Sequence, residues 1–294
     1  MTAALSDWNG AIRSAPQSTR SIESVVLPLD STEDSQSAIP VARKLSELYG
    51  ATLHLTYVGE QALDEKAAAG WLGLDPQKIH GTIFQSSKGE PVEVVMRLAR
   101  DLPKAVIVMS TCIGQPTDAN HFRSITESIF ASKPERTVLV SPHSGGKSWN
   151  VRRILLAHDG TPTCHAATGP AAELAQRAGA EVIALHVAAR GEHTGEPGSI
   201  PAPLYVDQPQ HEWPAWAEEF MNRVVAAGAP PSTVHFKLAV TGGQPGSEVA
   251  QVARERQVDL VVMAWYGHWD HESCATRVVI RTAGCPVMLV YSAD

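Results

Sequence analysis

The sequence predicts two tandem α/β domains, each built on a parallel sheet with helices on both faces. Three observations carry this. The chain of 294 residues repeats itself, once over residues 25–140 and again over residues 153–290. Within each copy, strand-like runs alternate with helix-length amphipathic stretches. The runs AVIVM and LVVMA are continuously apolar, as expected of strands covered on both faces. A repeat of this size means duplicated domains and not a solenoid.

The elements follow in order. The first copy opens with VVLPLD, residues 25–30, and continues with a helix that places Ala38, Val41, Ala42, Leu45 and Leu48 at helical spacing. That helix ends in Tyr49-Gly50-Ala51, and the strand TLHLTYV follows. After Gly89-Glu90-Pro91 comes a helix over 92–98, then the strands AVIVMS and TVLVSP. The second copy opens with ILLAHD, residues 154–159, and places Ala171, Leu174, Ala175 and Ala178 on one helix face. Gly179-Ala180 ends that helix, and the strand EVIALHV follows. After Gly243-Gln244-Pro245, the helix over 248–254 is expected to take its cap from Ser247 beside Glu248. DLVVMA and CPVMLVY complete the copy. Each half reads βαβ, a variable crossover, then βαβαβ, or about five strands and four helices.

The spacing locates where the copies differ. Asp30 and Asp159 are 129 residues apart, whereas Pro91 and Pro245, and likewise Met109 and Met263, are 154 apart. The second half therefore carries an insertion, assigned to the Gly/Pro-rich residues 190–216. From Met109 to Val138 is 29 residues but from Met263 to Val287 only 24, so the second half has a shorter loop after its fourth strand. The expected organisation is a mobile polar arm over 1–21, a first domain over 22–141, a linker over 142–152 and a second domain over 153–294.

Composition narrows the function. An apolar fraction of 44% and a charged fraction of 19% are those of a soluble globular protein. No apolar run approaches the roughly 18 residues of a spanning helix, so no membrane partner is expected. Ser6-Asp7-Trp8-Asn9 interrupts any secretory core. Cys112, Cys164, Cys274 and Cys285 form no CxxC pair, which points to a reducing cytoplasm. A net charge of −7 argues against nonspecific nucleic-acid binding.

In an open α/β sheet, ligands bind beyond the carboxyl ends of the strands where the winding reverses. Those ends are Asp30, Val58, Ser110 and Ser141 in the first half, and Asp159, Val187, Ala264 and Ser292 in the second.

With the first-strand Asp followed by Ser/Gly-Thr, the Gly-Ala junction, the GxP turn, the LVVM strand and the CPVMLV end, all twice over, the chain resembles the universal stress protein family in its tandem form. The resemblance spans residues 22–141 and 153–292. It implies five-stranded parallel-sheet sandwiches of the Rossmann-like, adenine nucleotide alpha hydrolase-like kind. It also implies pairing through the last strands, here an internal pseudo-dimer, and a role in bacterial stress adaptation.

ATP-binding members of that family carry Gly-x-x-Gly, nine residues, then Gly-Ser/Thr after the fourth strand, so that backbone N–H groups and a helix N-terminus meet the phosphates. Here the first half reads Ser110-Thr111-Cys112-Ile113, then Arg123-Ser124. Ser124 matches, Ser110 stands where a glycine is expected, and Gly114 restores the turn if the register slips by one. The second half reads Ala264-Trp265-Tyr266-Gly267, then only five residues before Ser273-Cys274, with Trp269, Asp270 and Glu272 in between. Gly267 and Ser273 match, and Asp30 and Asp159 match the nucleoside-contacting Asp. An Asp there is also a common turn residue. The degenerate loops resemble the branch that does not bind ATP, whose members are stress-linked regulators or small-ligand binders. An ATP or AMP sensor working through Asp30 and Ser124 is the alternative.

A second alternative is a metal-binding stress protein. His268-Trp269-Asp270-His271 puts two histidines and a carboxylate on the shortened loop, with His158 and Cys274 near in sequence, a donor set zinc accepts. The plainer reading is a solvent-exposed polar loop. Catalysis is not expected: Ser110, Ser124 and Ser273 lack a Gly-x-Ser-x-Gly elbow, and no P-loop or HExxH is present. Cys112 reads as an inert small residue or a reactive thiol, and Cys285 as core. His54 and His186 read as hydrogen-bonded structural residues. The insertion, with Tyr205, Trp213 and Trp216 among five prolines, reads either as a lid or partner surface, or as a loop packed on its own domain. A further homo-oligomer and a protein partner of unknown identity complete the expectations.

Overall fold

The structure is a computed structural model and describes residues 6–7, 21–29, 33–59, 64–73, 80–111, 128–140, 148–188, 212–228, 233–267 and 275–292. Among the described residues, eleven strands form one continuous sheet. The first domain contributes β2 (Ser24–Leu29), β3 (Thr52–Gly59), β4 (Ile83–Lys88), β5 (Ala105–Ser110) and β6 (Arg136–Val140). The second contributes β7 (Arg153–Ala157), β8 (Glu181–Ala188), β9 (Phe236–Gly242), β10 (Leu260–Trp265) and β11 (Val287–Tyr291). Within each domain every pairing is parallel, in the order β6-β5-β2-β3-β4 and, repeated, β11-β10-β7-β8-β9.

The domains join through their last strands. β11 runs antiparallel to β6, with Val287 opposite Leu139 and Val290 opposite Arg136. This is the internal pseudo-dimer. A two-residue β1 (Ser6–Asp7) pairs antiparallel with β9 through Leu238 and Lys237. Two residues of the arm thus sit on the second domain, and its residues 1–5 and 8–20 lie outside the described residues.

Helices α1 (Glu33–Gln36), α2 (Ile39–Tyr49), α3 (Glu65–Trp71) and α4 (Pro91–Asp101) belong to the first domain. Helices α5 (His165–Ala178), α6 (Glu212–Gly228), α7 (Pro245–Glu255) and α8 (Ala275–Thr282) belong to the second. Strand alternation sends successive side chains to opposite faces of the sheet. Val25 and Leu27, with Ile154 and Leu156, enter one core, while Val26 and Leu155 enter the other. Each core runs through both domains.

The repeat extends to the helix ends. Gly50 and Gly179 follow α2 and α5 with φ of +63° in both, and Ala51 and Ala180 each donate an N–H five residues back at 2.9 Å. Glycine adopts that left-handed cap without a Cβ penalty. The cap of α7 differs from expectation. Its N-cap is Gln244, because Pro245 takes the first helical position, and Ser247 lies inside the first turn. The linker's last residues pack into the second domain, where buried Trp149 donates its Nε1–H to the Asp259 carbonyl at 3.0 Å.

Candidate functional site

From β7 the chain crosses to β8 on one side, and from β10 to β11 on the other, so the winding of the second domain reverses between β7 and β10. The crevice at their carboxyl ends is where this architecture binds ligands. His158-Asp159-Gly160-Thr161 leaves β7 there, Tyr266-Gly267 leaves β10, and Cys164 precedes α5.

The β7 turn is tied to itself. Asp159 Oδ1 accepts the Thr161 N–H at 2.8 Å and the Thr161 hydroxyl at 2.6 Å. Thr161 Oγ1 lies 2.9 Å from Thr163 Oγ1. The Cys164 thiol bonds the same carboxylate and sits 3.3 Å from the Tyr266 hydroxyl, joining the two strand ends. Burial opposes ionisation of Asp159, but the hydrogen bonds from Thr161 and Cys164 outweigh it and hold the carboxyl below its usual range. Burial, then the Asp159 charge, pushes the Cys164 thiol up to about 12. Cys164 is therefore not a poised nucleophile.

Three histidines gather beside this turn. His158 Nδ1 accepts the Gly160 N–H at 2.9 Å, which leaves the neutral ring's proton on Nε2. Its ring lies 5.4 Å from that of His165 and 5.9 Å from Phe220. His186 lies against Trp216 at 5.3 Å and Phe220 at 5.1 Å, and Trp216 stacks on Phe220 at 5.2 Å. Burial lowers His158 to about 4, and lowers His165 and His186 as well. His158 Nε2, His165 Nε2 and His186 Nδ1 are buried without a hydrogen-bond partner. His54, on β3, also leaves Nδ1 without a partner. The sequence predicts His54 and His186 as hydrogen-bonded structural residues: His186 takes a backbone hydrogen bond with His158 and leaves only Nδ1 bare, among aromatic rings, and His54 likewise leaves Nδ1 bare.

The sequence-expected residues divide. Asp159 stands at the switch point, and Gly267 follows β10 with φ of +81°. A Cβ on Gly267 would lie 2.7 Å from Cε of Lys133, a first-domain residue. In the first domain Ser110 is buried at the end of β5, its Oγ 3.3 Å from Ser37 Oγ. Asp30, Gly114, Ser124, Ser273, His268 and His271, with Cys112 and Cys274, lie outside the described residues. Cys285 is a buried core residue whose thiol burial pushes up to about 12. Trp216, the last residue of the insertion, packs on its own domain, while residues 189–211 lie outside the described residues. Sequence reasoning missed Cys164, His165 and Tyr266 as neighbours of Asp159. The available signal was a thiol and an imidazole within six residues of the strand-end Asp.

Residues 150–291 match the sequence profile of the universal stress protein family. The match covers the second domain. No curated protein matches the sequence. A universal stress protein from Archaeoglobus fulgidus is similar in structure, with 16% identity, a TM-score of 0.62, and coverage of 92% of this chain and 97% of that one. A functionally unknown protein from Pseudomonas aeruginosa PAO1 matches at 14% identity and a TM-score of 0.62, covering 94% of both chains. These likenesses span both domains and show the fold: the first domain repeats the universal stress protein sandwich of the second.

Proposed function

We propose that this universal stress protein acts in stress adaptation by binding and not by catalysis, as a regulator or small-ligand binder whose ATP subsites have degenerated. One observation carries the reading. The Asp159 carboxylate, which would face a nucleoside, is engaged by Thr161 and Cys164 of its own turn. A nucleotide would have to displace bonds the domain already makes. The buried thiols of Cys164 and Cys285 suit a reducing cytoplasm.

Mass spectrometry of what leaves the denatured protein, followed by ATP and AMP titration of the purified chain, tests this. The expected result is no stoichiometric nucleotide and no phosphate release from ATP. Stoichiometric ATP or AMP would overturn the reading and favour a sensor through Asp30 and Ser124 of the first domain.

A further inference from the structure

We propose that His158, Asp159 and Cys164 form a binding site for one zinc-class divalent cation at the switch point of the second sheet. An imidazole nitrogen, a carboxylate oxygen and the thiol sulfur lie within 4.8 Å of one another. Donors around a tetrahedral zinc ion sit roughly 3.5 Å apart, given metal–ligand bonds of about 2.0–2.3 Å, so closing the set takes a shift of about 1 Å. The site is independent of whether the first domain takes a nucleotide. It also differs from a site on the His268/His271 loop.

The donor chemistry selects the ion. One sulfur, one nitrogen and one oxygen suit zinc and its borderline neighbours, whereas magnesium and calcium want oxygens throughout. Charge favours it too. The hydrogen-bond donors to the half-buried Asp159 carboxylate are Thr161 and Cys164, neither of them a cation. A divalent ion binding a carboxylate and a thiolate gives a neutral buried cluster. The Cys164 proton leaves to solvent when the S–metal bond forms.

A second observation is independent of that geometry. His158 is 3% exposed, yet its Nε2 has no partner, and the nearby His165 Nε2 and His186 Nδ1 are bare as well. Buried polar atoms are rarely left so in a finished site. If the ion takes His158 through Nδ1, it replaces the Gly160 N–H there and the ring keeps its proton on Nε2. If it takes Nε2, the proton moves to Nδ1 and the Gly160 contact is lost. Either way only one backbone hydrogen bond is exchanged. The Tyr266 hydroxyl, 3.3 Å from the sulfur, or a water supplies the fourth position.

The test uses the full chain stripped with a chelator and titrated with Co²⁺, then with Zn²⁺ against a chromophoric chelator. Expected are one equivalent of metal, the near-ultraviolet thiolate-to-cobalt band with tetrahedral visible bands, and displacement of the cobalt by zinc. Cys164→Ser should remove the band, and Asp159→Asn, which removes a charged ligand, should weaken zinc binding by at least the roughly 10–100-fold that losing a ligand-orienting partner costs. Cys285→Ser, and a double His268→Ala/His271→Ala variant, should leave both signals intact. Circular dichroism on each variant confirms that it folds. No stoichiometric metal, or binding that survives Cys164→Ser and Asp159→Asn but is lost with the two loop histidines, would overturn the proposal.

Discussion

Lys133 of the first domain lies along Gly267 of the second, so that a Cβ at Gly267 would fall 2.7 Å from Lys133 Cε and 3.2 Å from its Nζ. The same ammonium lies 5.4 Å from the centre of the Tyr291 ring. Two effects would oppose a side chain at Gly267: the contact with Lys133, and a φ of +81° that L residues rarely adopt. The Lys133 side chain is an exposed, flexible stem and can move aside. The backbone term therefore dominates.

Gly267→Ala should cost about 1 kcal/mol, a fall of about 2–4 °C in the melting temperature. Most of that loss should persist in a Lys133→Ala background. If the double variant recovers the whole loss, the side-chain contact, and not the backbone, is the cause.

Acid should destabilise the metal-free protein through its buried histidines. Burial holds His158 at about 4 in the fold against 6.5 in the open chain, with Asp159 opposing the shift and His165 and His186 adding to it. Between these values the unfolded chain binds a proton that the folded one does not. The contribution is fully present above about pH 6.5 and is lost as pH falls toward about 4, by roughly 3 kcal/mol at about 1.4 kcal/mol per pKa unit. His165 and His186 are lowered by burial and add in the same direction. Asp159, held below its usual range, yields only at more acid pH. Urea midpoints should fall between about pH 7 and about pH 5. His158→Gln should flatten that slope; an unchanged slope would mean that His158 is already protonated in the fold.

Much of the architecture was legible because its causes are local. The repeated first-strand Asp, the Gly-Ala junctions and the apolar runs read directly as strands, αL caps and a sheet covered on both faces, down to the matching φ at Gly50 and Gly179. The site was legible only at His158, Asp159 and Gly267. Cys164 meets Tyr266 across 102 residues of chain, and His186 meets Phe220 only because α6 returns over β8 after the insertion. Hydrophobic periodicity carries no information about such meetings. The Ser247 cap failed for a local reason: Pro245 starts the helix earlier than the Ser/Glu pattern suggests.

Trp149 anchors the linker's end, buried at 8% exposure with its indole N–H on the Asp259 carbonyl at 3.0 Å. Asp259 also accepts the N–H groups of Arg152 and Arg153 at 2.7 and 3.0 Å through Oδ2, fixing the start of β7. Trp149→Ala should therefore cost about 3–5 kcal/mol by leaving a cavity. Trp149→Phe should cost less, about 1–2 kcal/mol, mostly the lost hydrogen bond. Denaturant unfolding separates the two. Equal losses would show that the hydrogen bond matters more than the packing.

The junction between β6 and β11 predicts how the second domain behaves alone. β11 is buried at Val287, Met288, Leu289 and Val290, and β6 covers its outer edge. Removing the first domain leaves that edge with unpaired N–H and C=O groups, the usual template for pairing with another chain. Because the two domains share one fold, the exposed β11 can accept a second β11 in the antiparallel sense that β6 uses, and a twofold axis closes the contact. A fragment of residues 148–294 should therefore run as a dimer in light scattering, and Leu289→Lys should convert it to monomer or aggregate. A stable monomeric wild-type fragment would show that the edge is satisfied without strand pairing and that the internal joint is not the family of contacts the repeat implies.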